Sequence, residues 1–229
     1  MKAMFKTVLF AGGLVLASTW PVRATLIAAW DFKGVVAAPS TPATFAATAG
    51  SGSLDVSLFS PTLPTQRTSF TGAGSVNTFT GAESGTGTAL GLQNNSANGK
   101  SIVFSLNMSG FQDLILTFAT QGTASGFNNH QWRYSNDGTA YTALSGNNTA
   151  VTVSGFVIKT VDFSSISALD NDNTIFIELI VSGATASSGN NRFDNVQFNA
   201  TAVPEASTWV AGLGLSLGML GTFVRKHRK

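Results

Sequence analysis

From Ser101 onward, apolar and polar residues trade places with a period of two. Ile102, Phe104, Leu106 and Met108 alternate with Val103, Ser105 and Asn107, as they do in a strand with one buried face. Asp113–Thr120, Gln131–Asn136, Thr139–Leu144, Phe156–Phe163, Thr174–Ser182 and Arg192–Thr201 predict further strands. Trp132 and Tyr134 share one face of theirs. Ile175, Ile177, Leu179 and Val181 share one face of another, which leaves Glu178 on the outer side. Asp137-Gly138 predicts a hairpin turn, because glycine accepts the positive φ such turns need. Ser164–Leu169 predicts a single helical turn before the polar run Asp170-Asn-Asp-Asn173. Upstream, Thr25–Phe32 reads as a first strand. No heptad or long helical period runs through the body. Short strands parted by turn signals every 8–12 residues or so predict an all-β sandwich.

Residues 34–99 follow a different pattern. They are rich in Ala, Thr, Ser and Gly and are broken by Pro39, Pro42, Pro61 and Pro64. Apolar islands such as Leu54-Asp-Val-Ser-Leu-Phe59 predict short edge strands in an otherwise loop-rich, partly mobile stretch.

The two ends differ again. Residues 1–24 have the plan of a secretory signal peptide: Lys2 and Lys6 first, an apolar core from Thr7 to Ser18, then Val22-Arg23-Ala24 with small residues where signal peptidase reads. Cleavage is expected before Thr25. At the other end, Trp209 to Val224 carries no charge, and from Ala206 to Val224 is 19 residues. That is about 28 Å as a helix, close to the ~30 Å hydrocarbon core of a bilayer. Arg225, Lys226, Arg228 and Lys229 follow it and would keep that end in the cytoplasm. Both ends inside places the body across the membrane.

Charge changes meaning once the ends are set aside. The whole chain has a pI near 9.1, which ordinarily points towards nucleic acid. Seven of its 13 Lys and Arg lie in the two end segments, however, and all 11 Asp and Glu lie between Thr25 and Glu205. The body is therefore at −5, and nucleic acid is excluded as a partner. Charged residues make up 10% of the chain, against about a quarter in ordinary domains. There is no cysteine, hence no disulfide framework and no thiolate metal site.

Val203-Pro204-Glu205, the apolar segment and the basic tail together resemble the PEP-CTERM sorting signal of exported bacterial proteins. Ala206 stands where the family commonly has a second proline. The resemblance covers about the last 27 residues. It implies a membrane helix recognised by an exosortase-type protease, and release beyond the inner membrane of a Gram-negative cell to its surface or the extracellular space. A permanent tail anchor is the alternative. The expected organisation is thus a signal peptide at 1–24, an exported sandwich at 25–202 and a sorting signal at 203–229.

Trp132-Arg-Tyr-Ser-Asn-Asp-Gly138 and Gly189-Asn-Asn-Arg-Phe-Asp-Asn-Val196 resemble phrases in exported bacterial jelly-roll domains similar to carbohydrate-binding modules. The likeness spans roughly residues 100–200 and implies a fold more than a ligand.

The candidate chemistry is sparse. His130 is the one histidine of the body, and no G-x-S-x-G elbow lies near it; a turn or hairpin-flanking role is expected. The acids are scattered rather than paired as in a glycosidase. Asp170 and Asp172, with Asp194, bring oxygen ligands of the kind calcium takes, but the EF-hand glycine and glutamate are missing, and Asp and Asn also build turns through their own backbone. Arg192 and Asp194 would share a face with Val196 and Phe198, as an ion pair or a backbone clamp. Trp132 and Tyr134 suit either a core or a sugar-stacking platform, and Asn195 is a candidate sugar contact. Sequons begin at Asn94, Asn107, Asn147 and Asn199, as composition alone would produce. The expectation is a non-enzymatic exported protein of the surface or extracellular matrix, without a cofactor, that binds polysaccharide. A secreted polysaccharide hydrolase is the alternative.

Overall fold

In a computed structural model, residues 24–33, 43–82, 85–146 and 153–203 are described. The predicted signal peptide, apart from its last residue Ala24, and the sorting signal, apart from Val203, lie outside these residues, as does Glu83. Among the described residues no helix is long and apolar enough to cross a membrane.

The described residues form two antiparallel sheets. The first contains β1 (Ala24–Trp30), β3 (Ala49–Gly50), β5 (Arg67–Thr71), β6 (Thr88–Gln93), β8 (Phe111–Gly122), β11 (Val153–Asp162) and β13 (Asn190–Ala202). The second contains β2 (Thr44–Ala46), β4 (Gly52–Asp55), β7 (Ser101–Leu106), β9 (Asn129–Ser135), β10 (Thr142–Ala143) and β12 (Ile175–Ser182), in the order β10-β9-β12-β7-β4-β2. Only single turns of 3₁₀ helix, at Asn95–Ala97 and Ser167–Leu169, interrupt the sheets among the described residues. The expected all-β sandwich is what forms.

Strand β13 is the axis of the first sheet. One edge pairs along its length with β8. The other edge is shared: Asn190–Phe193 pair with β6 and Val196–Thr201 with β1. Its register shifts between Asp194 and Gln197, where Asn195 takes φ 46°. The extra residue of a bulge reverses which side the following residues face. Phe193 and then Val196, Phe198 and Ala200 therefore all enter the core. This corrects the expected shared face: Arg192 and Asp194 point outward, and Val196 and Phe198 inward.

Aromatic rings join the sheets. Phe104 of β7 meets Trp30 of β1 at 5.2 Å and Phe198 of β13 at 5.0 Å, both edge-on, and Trp30 meets Phe198 at 6.1 Å. A second group links Phe118 of β8 to Trp132 of β9 and to Phe193, each at 5.7 Å. Edge-to-face pairs add to the gain from burying the rings themselves.

Residues 34–99 contribute more core than expected. Leu54, Val56, Phe59, Leu90 and Leu92 are fully buried, and β6 is an interior strand. Its apolar alternation is masked by Ala89 and Gly91. Gly91 is required because Phe70 lies flat over it, where a β-carbon would come within 2.2 Å of the ring.

Phe198 touches both other rings of the first group. Phe198→Ala is expected to cost about 3–5 kcal/mol, read as a lower urea midpoint at an unchanged m-value.

Candidate functional site

The second sheet turns one face to the core and leaves the other open. Outward alternation on β9, β12 and β7 brings Arg133, Glu178, Val103 and, on β4, Asp55 into one row across four strands. Phe176 and Ile180 flank Glu178 on the same face, and Ser101, Ser105, Gln131 and Ser135 pair beside them.

Arg133 sits over Glu178. Its Nε donates to Oε2 at 2.6 Å, and Nη2 lies 2.5 Å from the same oxygen. The Glu178 side chain is 9% exposed and that of Arg133 31%. The carboxylate expected on the outer surface does face outward, but it is covered by its partner. Arg133 Nη1 has no partner among the described residues. The guanidinium also lies 5.1 Å from the centre of the Tyr141 ring, a cation–π geometry. Burial raises the Tyr141 phenol above its usual range, and the charge of Glu178 adds to this while Arg133 opposes it.

A rigid hairpin delivers Tyr141. Asp137 Oδ1 accepts from the amides of Thr139 (2.8 Å) and Ala140 (2.9 Å) and from the Ser135 hydroxyl (2.9 Å). The Ala140 amide, then that of Thr139, then the hydroxyl hold this carboxyl far below the usual range. Gly138, at φ 71°, completes the predicted turn and rests on the Phe176 ring. Asn136 donates through Nδ2 to Asp172 Oδ2 at 3.0 Å and to the Ala168 carbonyl, which ties the hairpin to the next turn. The result is a shallow shelf with Tyr141 at one side, a fixed cation in the middle, and Phe176, Ile180 and Val103 as apolar patches among hydroxyl and amide groups.

The residues singled out by sequence fall elsewhere. Trp132 is 1% exposed and packs on Phe118; Tyr134 also turns inward, against the core. Of the two roles their sequence suits, the structure gives them the core one, because their face of β9 is the one that meets the first sheet. Asn195 is fully buried, with Nδ2 donating to the carbonyls of Gly74 (3.2 Å) and Val76 (2.7 Å). It is a loop clamp, not a sugar contact. Asp194 is a clamp too, accepting from the amides of Ala73 (2.6 Å) and Asn195 (2.8 Å).

Asp170 accepts from the Asp113 amide, and Asp172 from the amide of Thr174 as well as from Asn136. Asp172 closes a local turn on Thr174, and Asp170 ties its loop to the start of β8. Among the described residues no three His, Cys, Asp or Glu side chains are grouped to hold a metal. Val203 donates its amide to the Gly110 carbonyl; Pro204, Glu205, Arg225, Lys226, Arg228 and Lys229 lie outside the described residues.

His130, expected in a turn, is in the core instead. Its Nε2 faces Asn191 Nδ2 at 3.3 Å, and its ring packs 5.5 Å from Phe193. Asn191 Oδ1 in turn accepts from the Phe127 amide, so Asn191 Nδ2 donates and Nε2 is the accepting nitrogen.

The shelf residues Arg133, Tyr141 and Phe176 were not singled out from sequence. The available signal was parity. Arg133 alternates with the buried Trp132, and the turn at Asp137-Gly138 folds Tyr141 back beside it.

No family model matches the chain, and no curated protein matches it. Among solved structures it is similar to the CBM22-1 xylan-binding domain of Xyn10C from Paenibacillus barcinonensis, at 11% identity over 79% of this chain and 97% of that one, with a TM-score of 0.44. It is also similar to the CBM35 of Abf62 from Cellvibrio japonicus, at 16% identity over 58% of this chain and 87% of that one (TM-score 0.32). A third is TmCBM61 in complex with β-1,4-galactotriose, at 14% identity over 51% and 72% of the two chains (TM-score 0.31). At these scores the likeness decides nothing about what the shelf binds.

Two buried groups set a pH response. Burial holds the His130 imidazole down at about 4, from an ordinary 6.5, and the charge of Lys159 adds to this. Between those values the unfolded chain takes up a proton that the folded chain refuses, so stability falls as pH drops. Burial pushes the Asp194 carboxyl up to about 6, from 3.8, against the amides of Ala73 and Asn195 and the charge of Lys33. There the folded chain takes up its proton first, so stability rises as pH falls from about 6 towards 3.8. The two effects oppose each other over one window. Asp194→Asn removes the second. Its urea midpoint should decline steadily from pH 6.5 to 4, more steeply than that of the unsubstituted protein; parallel profiles would refute the assignment.

Proposed function

We propose that this chain is an exported, non-enzymatic protein of the cell surface or extracellular matrix that binds polysaccharide along the outer face of its second sheet. The observation that carries this is Tyr141, held over the Arg133–Glu178 pair beside Phe176 on an open sheet face. A sugar ring has an apolar C–H face and an equatorial belt of hydroxyls. Phenyl and phenol rings match the first, and an oriented guanidinium with serine and glutamine side chains matches the second. The shelf lies across four strands, which suits a segment within a chain rather than its terminus. Glu178 is engaged by Arg133 and Asp55 by the Ser57 amide, so neither favours a hydrolase.

Delivery is proposed to run through the PEP-CTERM-like signal, with signal peptidase and an exosortase-type protease acting at the two ends. Support comes from the order of motif, apolar segment and basic tail, and from β13 ending at Ala202 just before Val203.

A glycan array with the purified exported protein should give retention on a restricted set of polysaccharides. Tyr141→Ala should weaken it about tenfold, in line with the loss of one stacking ring. Retention on none of the polysaccharides, or none lost in Tyr141→Ala, would count against the shelf; release of reducing ends would restore the hydrolase.

Mass spectrometry of the protein from its native host should find a new C-terminus near Pro204–Ala206. A chain still ending at Lys229 in the membrane would mean a permanent anchor.

A further inference from the structure

The second sheet is nearly without charge. Apart from the buried imidazole of His130, the titratable acids and bases of its six strands are Asp55, Arg133 and Glu178. All three lie in the row that crosses its outer face. The hairpin adds Asp137, whose charge acts on the Tyr141 phenol together with those of Glu178 and Arg133. The shelf is thus built around one cation and three carboxylates.

The cation is already engaged. Arg133 Nε and Nη2 both reach Glu178 Oε2, at 2.6 and 2.5 Å. That edge of the guanidinium could otherwise take a ligand carboxylate through two parallel bonds. An anion approaching Arg133 from solvent also meets the carboxylate of Glu178 directly behind it. The Glu178 side chain is only 9% exposed, so water and salt screen it poorly. Attraction to Arg133 and repulsion from Glu178 act over similar distances through the same medium and largely cancel. Asp137, kept ionised by the amides of Ala140 and Thr139 and the Ser135 hydroxyl, tips the balance towards repulsion. Asp55 adds less: two strand spacings put it about 10 Å from Glu178, against a Debye length of about 8 Å at physiological salt.

An uncharged sugar meets a different surface. Its hydroxyls both donate and accept, so a paired guanidinium and carboxylate suit them, and the Tyr141 and Phe176 rings take C–H faces without regard to charge. A shelf built for anions would be the reverse, with the guanidinium bare and its neighbours neutral. An ion pair this near solvent adds little to stability; its effect on which partner is turned away is larger. Resting on the reading of the shelf as the polysaccharide site, we infer that Glu178 is a charge filter: by engaging Arg133 it restricts the shelf to uncharged polysaccharides and turns away polymers of uronic acids.

The test compares one polymer with and without charge. A β-glucan, mannan or galactan retained by the purified exported protein is oxidised at its primary hydroxyls to carboxylates, and binding of both forms is measured at low and high salt. At about 50 mM NaCl the oxidised form should bind at least about tenfold more weakly. At about 500 mM the gap should narrow, because screening shortens the reach of the repulsion; steric rejection of the carboxylates would not respond to salt. Glu178→Gln keeps the size of the side chain and an oxygen for Arg133, and should recover most of the lost binding at low salt. Should that variant not fold, the salt dependence of the unsubstituted protein decides. Equal or tighter binding of the oxidised form, a gap that salt does not change, no recovery in a folded Glu178→Gln, or retention of polygalacturonate alone would overturn the filter and leave the shelf standing. Retention of neither the three uncharged polymers nor polygalacturonate would remove the shelf and the filter with it.

Discussion

One irregularity in one strand organises this molecule. β13 carries an extra residue at Asp194–Asn195, and the step reverses the side on which every later residue lies. Without it, Phe193 and Phe198 would fall on opposite faces of the sheet. With it, Phe193 joins the Phe118–Trp132 group while Val196 and Phe198 join Trp30 and Phe104. The core is continuous because the strand is not. A left-handed backbone at Asn195 is uncommon for a non-glycine residue, but asparagine tolerates it better than most. Here the cost is offset by hydrogen bonds from its own side chain.

The same step accounts for how so weakly charged a body holds its loops. Asn191 secures residue 127, Asp194 and Asn195 secure 73–76, and Thr123 Oγ1 accepts from the Asn190 amide. Each is a side-chain-to-backbone bond, and each is buried or partly buried. Such bonds specify position as well as favouring the fold, since a displaced loop would leave a buried amide or carbonyl unpaired. The composition rich in Asn, Thr and Ser thus has a structural use apart from solubility. The phrase Gly189–Val196 is dense in these residues because it lies where both loop systems meet the central strand.

The regular part of this architecture was legible and the irregular part was not. In β7 and β12 the period of two places Phe104 and Ile177 inward, as alternation requires, and the hairpin turn at Asp137-Gly138 follows from that local pair of residues. Parity failed at Asp194, because a bulge is set by long-range pairing with two neighbours and leaves no local mark in the strand. It failed again at β6, where Ala89 and Gly91 make room for Phe70 and so hide a buried strand behind small residues. Trp132 and Tyr134 show a third limit. Alternation tells which residues share a face, but only the position of the opposing sheet tells which face is covered. Arg133 lay one residue from the residue chosen, on the side that stayed open.

The proposed shelf follows from this difference between the sheets. A regular sheet with a hairpin folded across its edge presents side chains at fixed spacing, as β9, β12 and β7 do around Glu178, and fixed spacing can follow a repeating polymer. A bulged strand bends, and frees side chains and backbone groups from ladder pairing. At Asp194 and Asn195 those groups are taken up in holding residues 73–77 against the first sheet. The irregular strand therefore uses its freed polar groups inside the protein, and the regular sheet is the one whose outward side chains are left to meet a ligand.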